Sequence, residues 1–353
     1  MDRVQLVDWS VATATATRLV PPGPRLDLAD AAATVDDLRR LAAEAEGHVV
    51  AHTGLTGAGE AAPVTVVDRP GWIRSNVAGF ADLVDPLLET ALAGRARTLG
   101  PVMTAVGSRA TGAEVGVLLA YLASRVLGQF ELLGGEQGQL TLVAPNIVVA
   151  ERALDVDPRD FRLWVCLHEV THRTQFAAAP WLHGHVRTLL ADYLGAADLD
   201  PAALLSRLRG ALRGLVDTAR GRGEMSVLEL VQTPAQRDVL DRITGLMSLL
   251  EGHADVVMDG VGPVVVPSVA RIRERFEARR GSAGPIDRAV RRLLGLDMKM
   301  RQYAEGAAFV RAAVAELGMD GFNVVWTSPD LLPTGQEIRD PQRWLARINA
   351  PAA

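Results

Sequence analysis

The stretch LWVCLHEVTHRTQF, residues 163–176, places two of the chain's seven histidines four positions apart, with a glutamate directly after the first. Asp157 followed by Pro158 is a cap-then-proline helix start, and Pro180 bounds the far side. At about 100° per residue, Phe161, Trp164, Val165, His168, His172 and Phe176 fall on one helical face. Both imidazoles therefore lie on the stripe expected to face the core, with Glu169 on its flank. One helical turn between the rings lets both bind a single zinc ion, and the glutamate can address a water there. The string alone leaves other readings open: two core histidines satisfied by hydrogen bonds, or an exposed pair beside Arg173.

A catalytic zinc site takes three protein ligands and a water, so a third ligand is needed. The extended pattern with a glycine and a third histidine soon after His172 is absent, since Gln175 and Ala178 stand there. The better source is TGLMSLLEGHADVVMDG, residues 244–260, on a helix that should begin at Thr233–Pro234. Leu240, Thr244, Met247, Glu251, Asp255 and Met258 share one face of it. Two acids one turn apart on an apolar stripe repel each other and resist burial. A cation at Glu251 and an imidazole N–H at Asp255 would resolve both difficulties. Pairing with arginines is the plain alternative. His253, about 200° from Glu251 on the wheel, is expected to point away, as a surface or helix–helix contact, and is the rival ligand. Gly252 would let a second helix approach closely.

The bulk properties narrow the class. The chain has 353 residues, 48% of them hydrophobic and 22% charged, enough to bury a sizeable core. A net charge of −5 gives no general pull toward nucleic acid or membrane. The most apolar run, VGVLLAYLASRVLG, is interrupted by Arg125 and is too short to span a bilayer. One cysteine, Cys166, excludes an internal disulfide framework. With a charged N-terminus, these features read as a soluble cytoplasmic protein.

Helical periodicity dominates, and the fold class expected is mainly α with a small β component. The strand expected is Gly138–Ala150, GQLTLVAPNIVVA, β-branched and preceded by turn residues. Three regions are expected: 1–137, helical; 138–262, carrying the histidine and glutamate helices; and 263–353, helical with a proline-rich tail. The arginine-rich run from Arg271 to Arg301 lacks interleaved aromatics and reads as a solvated helix face. GLTGAG, Gly54–Gly59, has no phosphate-loop lysine and reads as a turn.

HEVTH followed by EGHAD resembles the glutamate-liganded zincin metallopeptidases. More broadly, TVVDRPGW, LVAPNIV, DFRLWVCLHEVTHRTQF, LLEGHADVVMD, RQYAEGAAFV and GFNVVWTSPDLLPT resemble the zincin-like hydrolases associated with deazaflavin-coenzyme biosynthesis. The likeness runs from about residue 66 to the C-terminus. It implies a zincin-like fold with extra helical regions and one zinc ion, but no particular substrate. The function expected is a zinc-dependent peptidase or amidase acting on a peptide or small amide. Its zinc would be held by His168, His172 and Glu251, with Glu169 as general base and Asp255 behind an imidazole. The alternative is a binding or scaffold protein with a structural metal. QLTLVAPNIVV is the expected strand beside the cleft, open to strand addition. Tyr303 is the candidate oxyanion donor, with ordinary packing as its other reading. His183 and His185 read as a solvated loop, and Cys166 as a small buried hydrophobe.

Overall fold

The computed structural model describes residues 7–57, 62–92, 101–131, 138–196, 234–281 and 296–350. Most of them are helical, with one three-stranded sheet. In chain order the elements are α1 (Trp9–Leu19), α2 (Leu28–Thr53), β1 (Val64–Val67), α3 (Arg69–Leu92), α4 (Pro101–Ala123), β2 (Gly128–Glu131) and β3 (Gln139–Val143). There follow α5 (Ala144–Leu154), α6 (Pro158–Ala178), α7 (Trp181–Gly195), α8 (Pro234–Val265), α9 (Val269–Gly281) and α10 (Leu296–Phe322). Two 3-10 turns, Asn323–Trp326 and Pro329–Leu331, lead into α11 (Gly335–Arg339) and α12 (Pro341–Ile348).

The sheet order is β1-β3-β2. β3 lies in the middle, parallel to β1 and antiparallel to β2, with Val64 opposite Leu140 and Gly128 opposite Leu142. Of the expected strand Gly138–Ala150, only Gln139–Val143 is strand. At Ala144 the chain turns into α5, with Pro145 in its first turn. Buried Asn146 fixes that turn: its Nδ2 donates to the carbonyls of Ala123 and Val126, and its Oδ1 accepts from Arg69 Nε. These tertiary bonds override the strand preference of Ile147, Val148 and Val149.

Side chains of β2 alternate between two neighbours. Gln129 accepts from Trp72 Nε1 and donates to Asn76, while Glu131 accepts from Ser75 and Thr141, which ties one face to α3. On the opposite face Phe130 stacks on Phe176 of α6 at 5.0 Å.

Helix α6 starts as its sequence dictates: Asp157 caps the backbone N–H of Asp160 at 2.9 Å, and Pro158 follows. It separates two apolar clusters. One joins Leu38 and Leu41 to Leu163, Val170, Val257 and Ile272; the other joins Phe176 to Leu182, Leu249, Phe309, Phe322 and Trp344. Cys166 belongs to the first cluster, with Sγ 3.8 Å from the Leu38 carbonyl, and burial pushes its thiol well above the usual range. A thiol reagent should leave the native protein unmodified and titrate one thiol per chain after denaturation; fast native reaction would contradict this packing.

Helix α8 extends past Met258 to Val265, with a break at Gly262 (φ 68°), and Val261 and Val265 pack on the first cluster. It packs against α10 closely enough that the main chains leave no room for a Cβ at two glycines. A Cβ on Gly252 would lie 2.2 Å from the Gly306 carbonyl carbon, and one on Gly306 would lie 1.9 Å from the Ser248 oxygen. Helix α9 carries the first part of the arginine run. Its Arg271 and Arg273 pair with Asp155 and Asp259 at 3.0 and 2.7 Å, while Phe276 packs on Trp164. Gly54 (φ 68°) caps α2 in the expected glycine-rich turn, of which residues 58–61 lie outside the described residues.

Candidate metal centre

Helices α6 and α8 bring His168, His172 and Glu251 together. One ligand atom from each lies within 4.8 Å of the others. The two Nε2 atoms are 3.2 Å apart, and they stand 3.5 and 3.8 Å from the Glu251 carboxylate oxygens. Tetrahedral zinc with bonds of about 2.0–2.1 Å would separate its ligand atoms by about 3.3 Å. The donor set, two imidazoles and a carboxylate, suits that ion. The side chains are partly open, 27% exposed at His168 and 21% at Glu251, so a fourth position could face solvent or substrate. Glu251 thus faces the imidazoles, and among the described residues no arginine pairs with it.

Glu169 is buried on the flank of this cluster. Burial, and then the charge of Glu251, push its carboxyl up to about 8. A divalent cation held next to it would favour the ionised form and draw that value down. Its carboxyl packs on the backbone of β2: a Cβ on Gly128 would lie 2.6 Å from Glu169 Cδ. Gly128→Ala should therefore displace the carboxyl and cut any hydrolysis at least about tenfold with zinc content unchanged; full activity would remove the role assigned to this contact.

The structure adds a partner that the sequence reading passed over. His172 Nδ1 is 3.0 Å from Gln175 Oε1, and Gln175 Nε2 lies 2.9 Å from the Leu250 carbonyl and 3.0 Å from His253 Nδ1. His253 turns away from the cluster, as its helical angle required. Of its two expected placements the helix–helix contact is the one that forms: His253 is fully buried, stacks on Phe322 at the end of α10 and tilts against Trp326. Burial, with His172 and His52 adding, holds its pKa down to about 3.

Asp255 sits one turn beyond Glu251, half-buried, with its backbone carbonyl 3.5 Å from an Arg273 donor. Tyr303 has its backbone in α10, and its side chain lies outside the described residues. His183 and His185 are on α7 rather than in a loop, both half-buried. Burial lowers both pKa values, helped by Arg187 and Arg242 respectively. The strand expected beside the cleft is also corrected. β3 is paired on both edges, so the edge strand against Glu169 is β2.

Fold and site together define a mainly helical protein whose His-Glu-x-x-His helix is completed by a glutamate from a second helix. The model of the zincin-like metallopeptidase family matches residues 7–345, and the chain belongs to that family. It is also similar to a protein from Chloroflexus aurantiacus, known by its crystal structure and described as a candidate hydrolase with a novel fold. The identity is 32% and the TM-score 0.71, over 98% of this chain and 100% of that one. No curated protein matches. Neither likeness extends to a deazaflavin coenzyme. Among the described residues, no helix is long and apolar enough to cross a membrane.

Proposed function

We propose that this protein is a zinc-dependent hydrolase of peptide or amide bonds, with one zinc held by His168, His172 and Glu251. The observation that carries the reading is the convergence of these three ligand atoms in a chain of zincin-like family. When bound, the ion supplies a Lewis acid and makes water more acidic. Glu169 takes the proton of the attacking water at its carboxylate and passes it to the leaving amine. Asp255 accepts an imidazole N–H from behind the cluster. The outer edge of β2, which pairs with no further strand among the described residues, accepts an extended substrate by strand addition. Tyr303 stays in the proposal as oxyanion donor. A cytoplasmic setting and a link to deazaflavin-coenzyme biosynthesis belong to the same reading.

A scaffold with a structural metal is the second reading, and the partial exposure of the ligands favours the enzyme. Structural zinc sites are closed by four protein ligands, whereas this group has three among the described residues. Elemental analysis tests the site directly. Wild type should hold about one zinc per chain, and His168→Ala and Glu251→Ala should hold almost none. Stripping the metal with a chelator should lower the melting temperature, and zinc should restore it. Wild type that neither contains nor takes up zinc would end this reading.

A further inference from the structure

The amide of Gln175 can be oriented without ambiguity. The Leu250 carbonyl can only accept a hydrogen bond, so the end of Gln175 that meets it at 2.9 Å is the NH2 group. Its oxygen therefore faces His172 Nδ1 at 3.0 Å, and that nitrogen must be the donor. A neutral imidazole has one N–H, so His172 Nε2 carries a bare lone pair. That atom points into the group formed with His168 and Glu251. The second N–H of the amide meets His253 Nδ1 at 3.0 Å, which makes this atom an acceptor and leaves the proton of His253 on Nε2. That Nε2 is buried, with no hydrogen-bond partner among the described residues.

All of this lies in the interior. Gln175 and His253 are both 0% exposed. Burying a carboxamide and an imidazole is costly unless their groups are paired, and an apolar residue at either place would avoid the cost. The pairing has one end on α6 and the other on α8, the two helices that carry the ligands. The ring of His253 is in turn held by Phe322 and by Trp326, 5.6 and 5.3 Å away.

Resting on the zinc-site reading above, we propose that Gln175 is the positioning residue of the metal centre. Its carboxamide, held in one orientation by Leu250 and His253, locks His172 as the Nδ1–H tautomer with Nε2 free to bind the ion. Imidazole ligands commonly donate their other N–H to an acceptor that fixes ring and tautomer. Here the acceptor comes from one turn further along the same helix and is itself fixed by the partner helix. His253 acts through Gln175 and touches neither the ion nor the substrate.

The test begins with the metal-free wild-type protein, its histidines 15N-labelled, at a pH where the imidazoles are neutral. Proton–nitrogen correlation should show His172 protonated at Nδ1 and His253 at Nε2. Gln175→Met keeps the bulk of the side chain and removes both hydrogen-bonding ends. It should move the His172 proton wholly or partly to Nε2 and weaken zinc binding about ten- to a hundredfold, read by competition with a chromophoric chelator. Gln175→Glu retains an acceptor for Nδ1, so it should preserve the His172 tautomer while changing the His253 signals. A purely packing role would not separate the two variants in this way.

An Nε2–H tautomer for His172 in wild type would overturn the proposal without any variant having to fold. So would unchanged zinc affinity in a Gln175→Met protein whose circular dichroism matches wild type. A wild type that binds no zinc would sink the hydrolase reading, and the tautomer measurement would still decide the orientation of Gln175.

Discussion

Glu169→Gln is expected to lower hydrolysis by about a hundredfold or more while leaving zinc content at the wild-type level. The amide keeps the shape of the side chain, so its packing on Gly128 should survive. What it loses is the ability to take a proton, and general-base catalysis contributes typically about 10²- to 10⁴-fold. Glu169 is absent from the ligand group, which is why metal binding should not follow activity downward. Single-turnover hydrolysis of a peptide library beside elemental analysis would read both quantities. Retained activity would exclude Glu169 as the base, and parallel loss of metal would recast it as a ligand or as structural support.

The second large effect is on the fold. Gly306→Val should cost roughly 3 kcal/mol or more, because the new Cβ would fall 1.9 Å from the Ser248 backbone oxygen. A flexible neighbouring side chain could move aside, but here the obstacle is the main chain of α8. The two helices would have to separate, and Ser248 lies one turn before Glu251 on the helix that delivers it. Zinc affinity should therefore fall together with stability, although Gly306 is not a member of the ligand group. Denaturant midpoints and metal titration on the same preparation check this. A stable variant with full zinc affinity would show that α8 can shift without moving the site.

The parts of this site legible in the sequence were those with a period. His168, His172 and Glu251 fall on apolar helical stripes, so their faces could be computed residue by residue, and the structure brings the three together. The helix start at Asp157–Pro158 carries its own local signal and forms as expected. β1 and β2 were not foreseen, because four residues are too few to show alternation. Residues 144–150 were misread because the bonds of Asn146 are tertiary and leave no local trace. Gln175 was noticed only as the residue standing where a glycine would extend the motif. A buried glutamine on an apolar helix face three positions after a ligand histidine is a usable signal, yet its partners come from 75 and 78 residues further along. For His253 the wheel gave the direction and left a surface or a helix–helix contact open; the helix–helix contact is what forms, against Gln175 of α6 and Phe322 of α10.

If peptides are the substrate, as proposed, the four-residue length of β2 would limit how tightly their backbone could be held. Alternate residues of an antiparallel strand direct their amide groups to opposite sides, so two residues bond β3 and two are left for a substrate. Two outward residues give at most about four hydrogen bonds at about 1 kcal/mol each. On its own that corresponds to a dissociation constant of about 1 mM. Under the proposed function, backbone pairing would align a scissile bond without retaining the products, and discrimination among substrates would have to come from side-chain pockets. Michaelis constants for short unbranched peptides should accordingly be high, and should fall steeply when one well-matched side chain is added.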